Sequence, residues 1–500
     1  MSGYYIGIDV GTTGMKGVLM DSCGAVLASQ SREQHQFFPQ PGWVEQDGDE
    51  LLQLLTEILR TLPEKAGVAM TAVQGIGIDH QGESCLVWEK NTGKAVYPVI
   101  TWQDRRMAAA SDAFGAIYGE KLRELTGLRS DSYYSAWKLR WILDHIPDGQ
   151  RRAENGELLC GTLNTWFIWK LTGGKAFVTD EGTASVMMLA DPRVREWNPW
   201  LLQEMNLPRC MLPEIVPCDS LMGYTTVEAV GAEMPITATL PDCSAGIVGA
   251  AAMNRGDLMV TYGTGNFMHL ITGADYVPAQ EGLTSACCYA SMKEKLYQLN
   301  GICYSAGSSI KWLQNSLHLI DHASETEALA HSVKDTGGVY FVPALNGLAT
   351  PAWDQSARGA FLGITAASER AHLVRAVLES SALQVARCCR IMRQVSGIEP
   401  VKLNAMGGMT ANSFLMQLQA DLTGIPVSLP CQTEPAYGIA CMAAQHDSHA
   451  IRLTDLAQLN PPTRVFEPQM SQAERDGQID RWSYAVERTL QWHPEEIGKN

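Results

Sequence analysis

A glycine turn rich in hydroxyl groups stands near the start of the chain. The turn 11–14 reads GTTG, follows an apolar run, and has Lys16 two positions beyond it. Backbone amides in such a turn can converge on one point, because glycine has no Cβ and tolerates positive φ, and converging amides bind anions. The threonine hydroxyls add donors, and the ammonium of Lys16 adds positive charge. The pattern favours a phosphate site, and its alternative is an ordinary tight β-turn.

Asp9 ends the apolar run directly before this turn. A carboxylate in this position would repel a bound phosphate unless a cation lay between them. Mg²⁺ prefers oxygen ligands, keeps several waters, and needs only one or two carboxylates beside nucleotide phosphates. We therefore expect a magnesium–phosphate site at Asp9; the alternative is a capping or turn aspartate.

The same pattern returns about half the chain length later. Residues 256–273 again give an apolar strand, a Gly-Thr-Gly turn at 263–265 and a second apolar strand. Residues 401–424 resemble the apolar strand 73–79, and a double glycine at 407–408 there opens a helix whose N-terminus would face phosphate or adenosine. We predict an internal duplication in which both turns grip one polyphosphate across a cleft. Walker A and GxGxxG spacings are absent from the sequence.

The wider pattern predicts an α/β protein. Strands are expected at 4–8, 15–20 and 25–30, an amphipathic helix within 42–67 that ends at Pro63, and a parallel strand at 73–79. A helix of small residues near 244–256 marks the boundary between domains 1–246 and 247–500. The segment 473–500 predicts a helix that packs on the body through four apolar positions, Ile479, Trp482, Val486 and Leu490.

Composition excludes several classes of protein. A net charge of −16 argues against a general nucleic-acid binder. The sequence has no apolar stretch of membrane-crossing length, and its start, MSGYYIG, lacks the features of a signal peptide, so we expect a cytoplasmic enzyme that does not act at a membrane. The 13 cysteines have no CxxC spacing and the histidines no HExxH motif, so we expect reduced thiols and no zinc site.

Several long segments carry a likeness to a known family. The segments GIDVGTTGMKGVLMD, VWEKNTGKAVYPVITWQDRR, NTWFIWKLTGGKAFVTD and AMGGMTANSFLMQLQADLTG resemble, in this order, the FGGY carbohydrate kinases, and most closely their glycerol kinase branch. YYSAWKLRWILDH and GAFLGITAASERAHLVRAVLE resemble the two signature patterns of the family. The resemblance implies two actin-like (RNase H-like) domains around a hinged cleft, with ATP and Mg²⁺ as cofactors. ATP would lie mainly against the second domain and the sugar or polyol against the first.

The resemblance also implies residue roles. Asp242, in LPDCSAG, would be the catalytic base, and it would hold Mg²⁺ together with Asp9. The alternative is a structural role: Asp242 precedes a helix of small residues and could cap its N-terminus. Lys311 stands where the glycerol kinase branch has a glutamine. The nucleotide contacts implied are Thr12, Thr13, Lys16, Gly263, Thr264, Gly307, Lys311, Gly408 and Asn412.

The implied substrate pocket departs from the glycerol kinase pattern. Four of its residues match the pattern: Glu83, Trp102, Asp242 and Phe267. Gly82 replaces an arginine, Trp137 a tyrosine and Cys243 a glutamine. These changes remove hydrogen-bond donors that would hold the hydroxyls of a small substrate. Gly82 frees volume for a longer substrate. Trp137 would offer an apolar face against which the C–H groups of a carbohydrate could stack.

We therefore expect an ATP-dependent kinase that phosphorylates a hydroxyl of a small polyol or sugar. Glycerol, a tetritol, a pentitol and a xylulose-type ketopentose all remain open as substrates. The alternatives are a non-catalytic actin-like ATP-binding protein, against which Asp242 and Glu83 speak, and a carboxylate kinase, against which the missing arginine speaks. A homo-oligomer, dimer or tetramer, is also left open.

Overall fold

The computed structural model describes residues 3–492. The first half of the chain forms strands β1 (Tyr4–Val10), β2 (Gly14–Asp21), β3 (Val26–Glu33), β4 (Glu45–Gln46), β5 (Val73–His80), β6 (Cys85–Glu89), β7 (Val99–Ile100), β8 (Leu158–Thr162), β9 (Val178–Asp180), β10 (Glu214–Val216), β11 (Gly223–Tyr224) and β12 (Pro235–Pro241). Its helices are α1 (Gly48–Lys65), α2 (Ala108–Thr126), α3 (Ser135–His145), α4 (Gly149–Glu154), α5 (Leu163–Leu171), α6 (Glu181–Val186), α7 (Pro199–Glu204), α8 (Val227–Val230) and α9 (Asp242–Gly249).

The second half of the chain contributes the remaining elements. Its strands are β13 (Asp257–Tyr262), β14 (Asn266–Gly273), β15 (Thr284–Ala290), β16 (Lys295–Cys303), β17 (Tyr340–Val342), β18 (Ala360–Leu362), β19 (Lys402–Met406), β20 (Val427–Pro430) and β21 (Pro462–Phe466). Its helices are α10 (Gly307–Asn315), α11 (Glu325–Ser332), α12 (Arg370–Ser396), α13 (Ser413–Thr423), α14 (Pro435–Ala443), α15 (Leu456–Leu459) and α16 (Gln472–Glu487).

Two large sheets repeat one arrangement. Within residues 3–492 the first has the strand order β11-β12-β5-β1-β2-β3 and the second β15-β16-β14-β13-β19-β20-β21. In each, a central strand pairs antiparallel with the next strand along the chain and parallel with a strand that follows a crossover: β1 with β2 and β5, and β13 with β14 and β19. The series β3-β2-β1-β5-β12 and β16-β14-β13-β19-β20 therefore match in order and direction, which confirms the predicted internal duplication.

The first strands and helix agree with the apolar pattern. Ile6 and Ile8 of β1 pack in the same buried cluster as the apolar face of α1, as expected from the alternation of side chains along a strand. The Asp47 side chain caps α1 by accepting hydrogen bonds from Asp49 N and Glu50 N. The helix continues to Lys65 rather than ending at Pro63, because a proline in the last turn removes only one hydrogen bond there.

The C-terminal helix packs on the body as predicted. Ile479, Trp482 and Val486 of α16 are buried in the core of the second half, and Trp482 Nε1 donates a hydrogen bond to the Phe341 carbonyl at 3.1 Å. The part of the predicted helix beyond residue 492 lies outside the described residues.

The two halves meet through a pair of helices. The strands of the first sheet end at Pro241 and those of the second begin at Asp257, so the predicted division between residues 246 and 247 falls inside α9, and it stays a prediction. Helix α14, from the second half, packs on β1, β5 and α9. A Cβ on Gly438 of α14 would overlap the Ala245 carbonyl oxygen of α9 and lie 2.7 Å from Gly249 N. The helices therefore touch backbone to backbone.

This contact gives a testable difference between two helical glycines. Gly438→Ala is expected to lower the free energy of unfolding by about 1–3 kcal/mol, because overpacking against backbone cannot be relieved by a rotamer change. Gly119→Ala in α2 is the matched control, since a Cβ there meets nothing within 4 Å and alanine favours the helix by up to about 1 kcal/mol. Thermal unfolding should place the Gly438 variant below the wild type and the Gly119 variant at or above it. The reverse order would contradict the close contact.

Two further expectations concern cysteines and membranes. All 13 cysteines lie in the described part of the chain, and none of them forms a disulfide. Across residues 3–492, the helices are all too short or too polar to span a bilayer.

Candidate active site

A cavity of about 260 Å³ lies between the two halves. Thr12, from the turn after β1, lines it, and so do Thr261 and Phe267, which flank the turn after β13. The first glycine turn and the two strands that flank the second turn therefore border one cavity. It also contains five further residues predicted for the substrate pocket: Gly82, Glu83, Trp102, Asp242 and Cys243.

Trp102 connects the first glycine turn to the cavity wall. Its Nε1 donates a hydrogen bond to Thr12 Oγ1 at 3.0 Å. Its ring lies edge-on to Phe267, with centroids 6.5 Å apart, and to Tyr133, at 5.7 Å. These aromatic rings form apolar walls against which the C–H groups of a carbohydrate can pack.

Asp242 occupies the first turn of α9 at the end of β12. The N-cap of this helix is Pro241, so Asp242 does not serve as the N-cap that was its alternative role. The Asp242 carboxylate accepts a hydrogen bond from Cys243 N at 2.6 Å. Burial, and to a lesser extent the charge of Asp9, raise the pKa of Asp242 to about 7. A carboxylate with a pKa near neutrality is suited to accept a proton from a hydroxyl.

Asp79 is an acid that the sequence reasoning missed. It lies directly beside Asp9 in the parallel register of β1 and β5, and its side chain is fully buried. Burial, together with the charges of Asp9 and Asp242, raises the pKa of Asp79 well above its usual value. Burial likewise raises the pKa of Asp9 to about 6. An acidic residue at the carboxyl end of a parallel strand was the signal that could have identified Asp79.

The raised pKa of Asp79 predicts a pH-dependent stability. The folded chain keeps a proton on Asp79 that the unfolded chain releases near pH 4, so this residue's contribution to the free energy of unfolding falls as pH rises above about 4. Asp79→Asn removes that loss. We expect urea unfolding to show the variant gaining stability relative to the wild type between about pH 5 and 7. If the free energy of unfolding of the variant differs from that of the wild type by the same amount at pH 5 and at pH 7, the raised pKa of Asp79 is contradicted.

Glu83 and Lys138 are two buried ionisable groups beside the cavity, and each shifts the pKa of the other. Burial raises the pKa of Glu83 to about 8, which Lys138 partly offsets, and burial lowers the pKa of Lys138 to about 8. Lys138 Nζ donates a hydrogen bond to the Tyr133 carbonyl. The lysine thus fixes the segment that holds Tyr133 against Glu83.

Trp137 does not reach the cavity, so its predicted place in the substrate pocket is corrected. It lies in α3, buried, with its ring edge-on to Phe114 at 5.5 Å. Tyr133 and Tyr134 precede α3 and line the cavity instead. The helix that starts at Ser135 directs Trp137 into the core of the first half. The tyrosine that Trp137 was predicted to replace is therefore present after all, as Tyr133.

A second cavity, of about 440 Å³, lies in the second half beside the turn after β13. Six of the nine predicted nucleotide contacts line it, namely Gly263, Thr264, Gly307, Lys311, Gly408 and Asn412. Gly307 N donates to the Gly263 carbonyl at 3.0 Å, which ties the turn to the start of α10. A Cβ on Gly408 would meet nothing within 4 Å, so the wall there is open to a ligand.

The other three predicted nucleotide contacts belong to the first turn. Thr12 lines the smaller cavity, and Thr13 is exposed to solvent. Lys16 forms an ion pair with Glu434, the N-cap of α14. This pair joins the first turn to the second half, and it offsets part of the positive charge predicted for the phosphate site.

The acidic residues also bear on magnesium. Across residues 3–492, no three His, Cys, Asp or Glu side chains converge as a metal site. A Mg²⁺ ion held through phosphates and waters needs only one or two carboxylates. No N–H or O–H donor of the described residues reaches either carboxylate oxygen of Asp79. The buried Asp79 and the partly exposed Asp9 and Asp242 therefore fit a cation that arrives with the nucleotide.

Comparison with known proteins shows which family the chain belongs to. The N-terminal domain of the FGGY family of carbohydrate kinases matches residues 4–249, and its C-terminal domain matches residues 258–446. The chain belongs to the FGGY carbohydrate kinases. It is thus a phosphotransferase with an alcohol group as acceptor, and it uses ATP and Mg²⁺.

Individual members of the family resemble the chain over nearly its whole length. Glycerol kinase 2 of Thermotoga maritima is 40% identical over 98% of this chain and 99% of its own. The glycerol kinase of Caldanaerobacter subterraneus is 39% identical over 99% of this chain and 100% of its own. The crystal structure of Plasmodium falciparum glycerol kinase with ADP superimposes with a TM-score of 0.92, at 30% identity and 98% coverage of both chains. The predicted two-domain actin-like FGGY fold is confirmed.

Proposed function

We propose that the smaller cavity binds a polyol or sugar and that Asp242 is the base of its phosphorylation. The observation that carries the proposal is the meeting of Asp242, Glu83 and the first glycine turn in one cavity between the halves. The nucleotide would occupy the larger cavity, with its phosphates directed toward the two turns. Glycerol kinases among the relatives at about 40% identity support a substrate of this class.

The side chains suggest how the acceptor hydroxyl is held. The Glu83 carboxylate accepts hydrogen bonds from substrate hydroxyls, while Trp102 and Phe267 pack against its C–H groups. Asp242 orients one hydroxyl and accepts its proton as the oxygen attacks the γ-phosphorus, and ADP leaves from the opposite side. Phosphoryl transfer depends mainly on such alignment and on charge neutralisation. Asp9 and Asp242 would hold Mg²⁺, which would supply part of that neutralisation.

We further propose that the pocket differs from one built for glycerol. Gly82 has no packing reason to be glycine, since a Cβ there would make only ordinary contacts, at 3.8 Å from Pro241 and Val186. Its place in the wall therefore leaves space open to a substrate. Cys243 beside it carries a thiol, a weak hydrogen-bond donor.

Measuring ADP release over a panel of acceptors tests the proposal. The panel contains glycerol, tetritols, pentitols and ketopentoses, each with saturating Mg-ATP. At least one is expected to give ADP and a phosphate ester in equal amounts. ATP binding without phosphate transfer to any of them would overturn the proposed function.

A further inference from the structure

A row of polar side chains lines the part of the substrate cavity that the second sheet forms. His269, Asn300 and Thr284 stand side by side on β14, β16 and β15, because His269 pairs with Asn300 and Asn300 with Thr284 in the antiparallel registers. Phe267 lies two residues before His269 on the same face, so the row is one step further from the glycine turn. All of these side chains line the cavity that holds Asp242.

Gln298 extends the polar surface by a further step along β16. It is 3% exposed, and it lines the same cavity. The sheet face around this surface is otherwise apolar, since Met259 and Ile271 on the neighbouring positions belong to the buried cluster shared with α9 and α14. Buried polar groups on such a face are costly unless they find hydrogen-bond partners.

Two of these polar groups have free acceptor atoms. Among the described residues, neither His269 Nε2 nor Gln298 Oε1 finds a hydrogen-bond partner, although both atoms are buried. His269 Nδ1 lies 3.0 Å from Asn300 Oδ1. An amide oxygen can only accept, so Nδ1 carries the proton and Nε2 presents its lone pair. Burial lowers the pKa of His269 to about 4, so the ring is neutral at physiological pH.

The free atoms therefore match one kind of ligand group. Lone pairs on Nε2 and Oε1 accept hydrogen bonds from hydroxyls, and they lie in the cavity that Glu83 also lines. Gly82, beside Glu83 in the sequence, leaves space in this cavity unfilled. A substrate that reached from Asp242 to the polar row would find acceptors at both ends.

We propose that His269, Asn300 and Gln298 form a subsite for the distal hydroxyls of a polyol or sugar of four or five carbons. The inference rests on the proposed function, because it assigns the far end of the same substrate. It predicts that a tetritol, pentitol or ketopentose is phosphorylated with a higher kcat/KM than glycerol, because each has more hydroxyls than glycerol to pair with these acceptors. Hydrogen-bonding sites of this kind reject substrates that leave their polar groups unpaired.

Steady-state kinetics of His269→Leu and Gln298→Leu test the subsite. Each variant is assayed with glycerol and with the best four- or five-carbon substrate. The ratio of their kcat/KM values, longer substrate over glycerol, should fall by about 10- to 100-fold, the effect expected for a lost hydrogen bond in a buried site. Asn404→Leu is the matched control, because Asn404 is a buried amide that pairs with Met259 in the same sheet but does not line the cavity. Its ratio should equal that of the wild type.

The possible results separate the two proposals. If glycerol gives the highest kcat/KM with the wild type, or if both leucine variants keep the wild-type ratio, the subsite inference is overturned and the polar row binds water only. If no acceptor is phosphorylated by the wild type, the proposed function itself fails. ADP affinity, measured by calorimetry on each variant, shows whether the chain has folded. If the variants do not fold, the preference of the wild type between glycerol and the longer substrates decides whether the subsite exists.

Discussion

Asp242→Asn is expected to lower kcat by about 10²- to 10⁴-fold, the usual contribution of a general base. The amide has nearly the shape of the carboxylate and still accepts the hydrogen bond from Cys243 N, but it cannot take up a proton. The larger cavity, which lies in the second half, is not altered by the change. ADP affinity should therefore stay near that of the wild type while turnover is lost.

A second buried aspartate serves as the control for Asp242. Asp257 is 2% exposed and stands at the opposite end of β13 from the glycine turn, where it accepts a hydrogen bond from Asn254 N at 2.9 Å. Asp257→Asn should leave kcat within a few-fold of the wild type. Turnover of the Asp242 variant within about tenfold of the wild type would refute its role as the base.

Glu83→Gln is expected to lower kcat/KM for the acceptor by about 10- to 100-fold, because a hydrogen bond left unmade in a buried site costs about 1–3 kcal/mol. The KM for ATP should change little, since Glu83 lines the smaller cavity and not the larger one. Initial rates with each substrate varied in turn separate the two parameters.

Glu379 offers a matched control for this change. It is a largely buried glutamate in α12, paired with Arg375 at 2.7 Å, and it lines neither of the two cavities. Glu379→Gln should leave the KM of the acceptor unchanged. If the Glu83 variant raised the KM for ATP as much as that for the acceptor, the substrate role of Glu83 would be wrong.

Local patterns were sufficient to predict the elements that border the site. The turns 11–14 and 263–265 join the antiparallel pairs β1–β2 and β13–β14, as two apolar runs on either side of a glycine turn predict, although none of their glycines adopts a positive φ. The duplication followed from their recurrence. Of the six contacts that line the larger cavity, Gly263, Thr264 and Gly408 belong to glycine turns that the sequence itself singled out, while the other three came from the resemblance to the family. Asp242 also came from that resemblance, and its place between strand β12 and helix α9 agrees with it.

The features that were missed depend on where one helix starts and on contacts between distant segments. Trp137 and Tyr133 are four positions apart, and only the start of α3 at Ser135 decides which of them faces the cavity. Asp79 becomes notable because the register of β1 and β5 places it beside Asp9. The pair of Lys16 and Glu434 joins residues more than four hundred positions apart. Such pairings follow from the tertiary fold, which a single sequence does not display.

Transfer of labelled phosphate from γ-³²P-ATP to an acceptor tests the central claim most directly. The wild-type chain, with Mg²⁺ and each polyol or sugar in turn, should form a labelled phosphate ester, most rapidly with a four- or five-carbon acceptor, and Asp242→Asn should abolish nearly all of it. If ATP binds but the label stays in ATP or appears only as inorganic phosphate with every acceptor, the two glycine turns do not serve a kinase site and the account is contradicted.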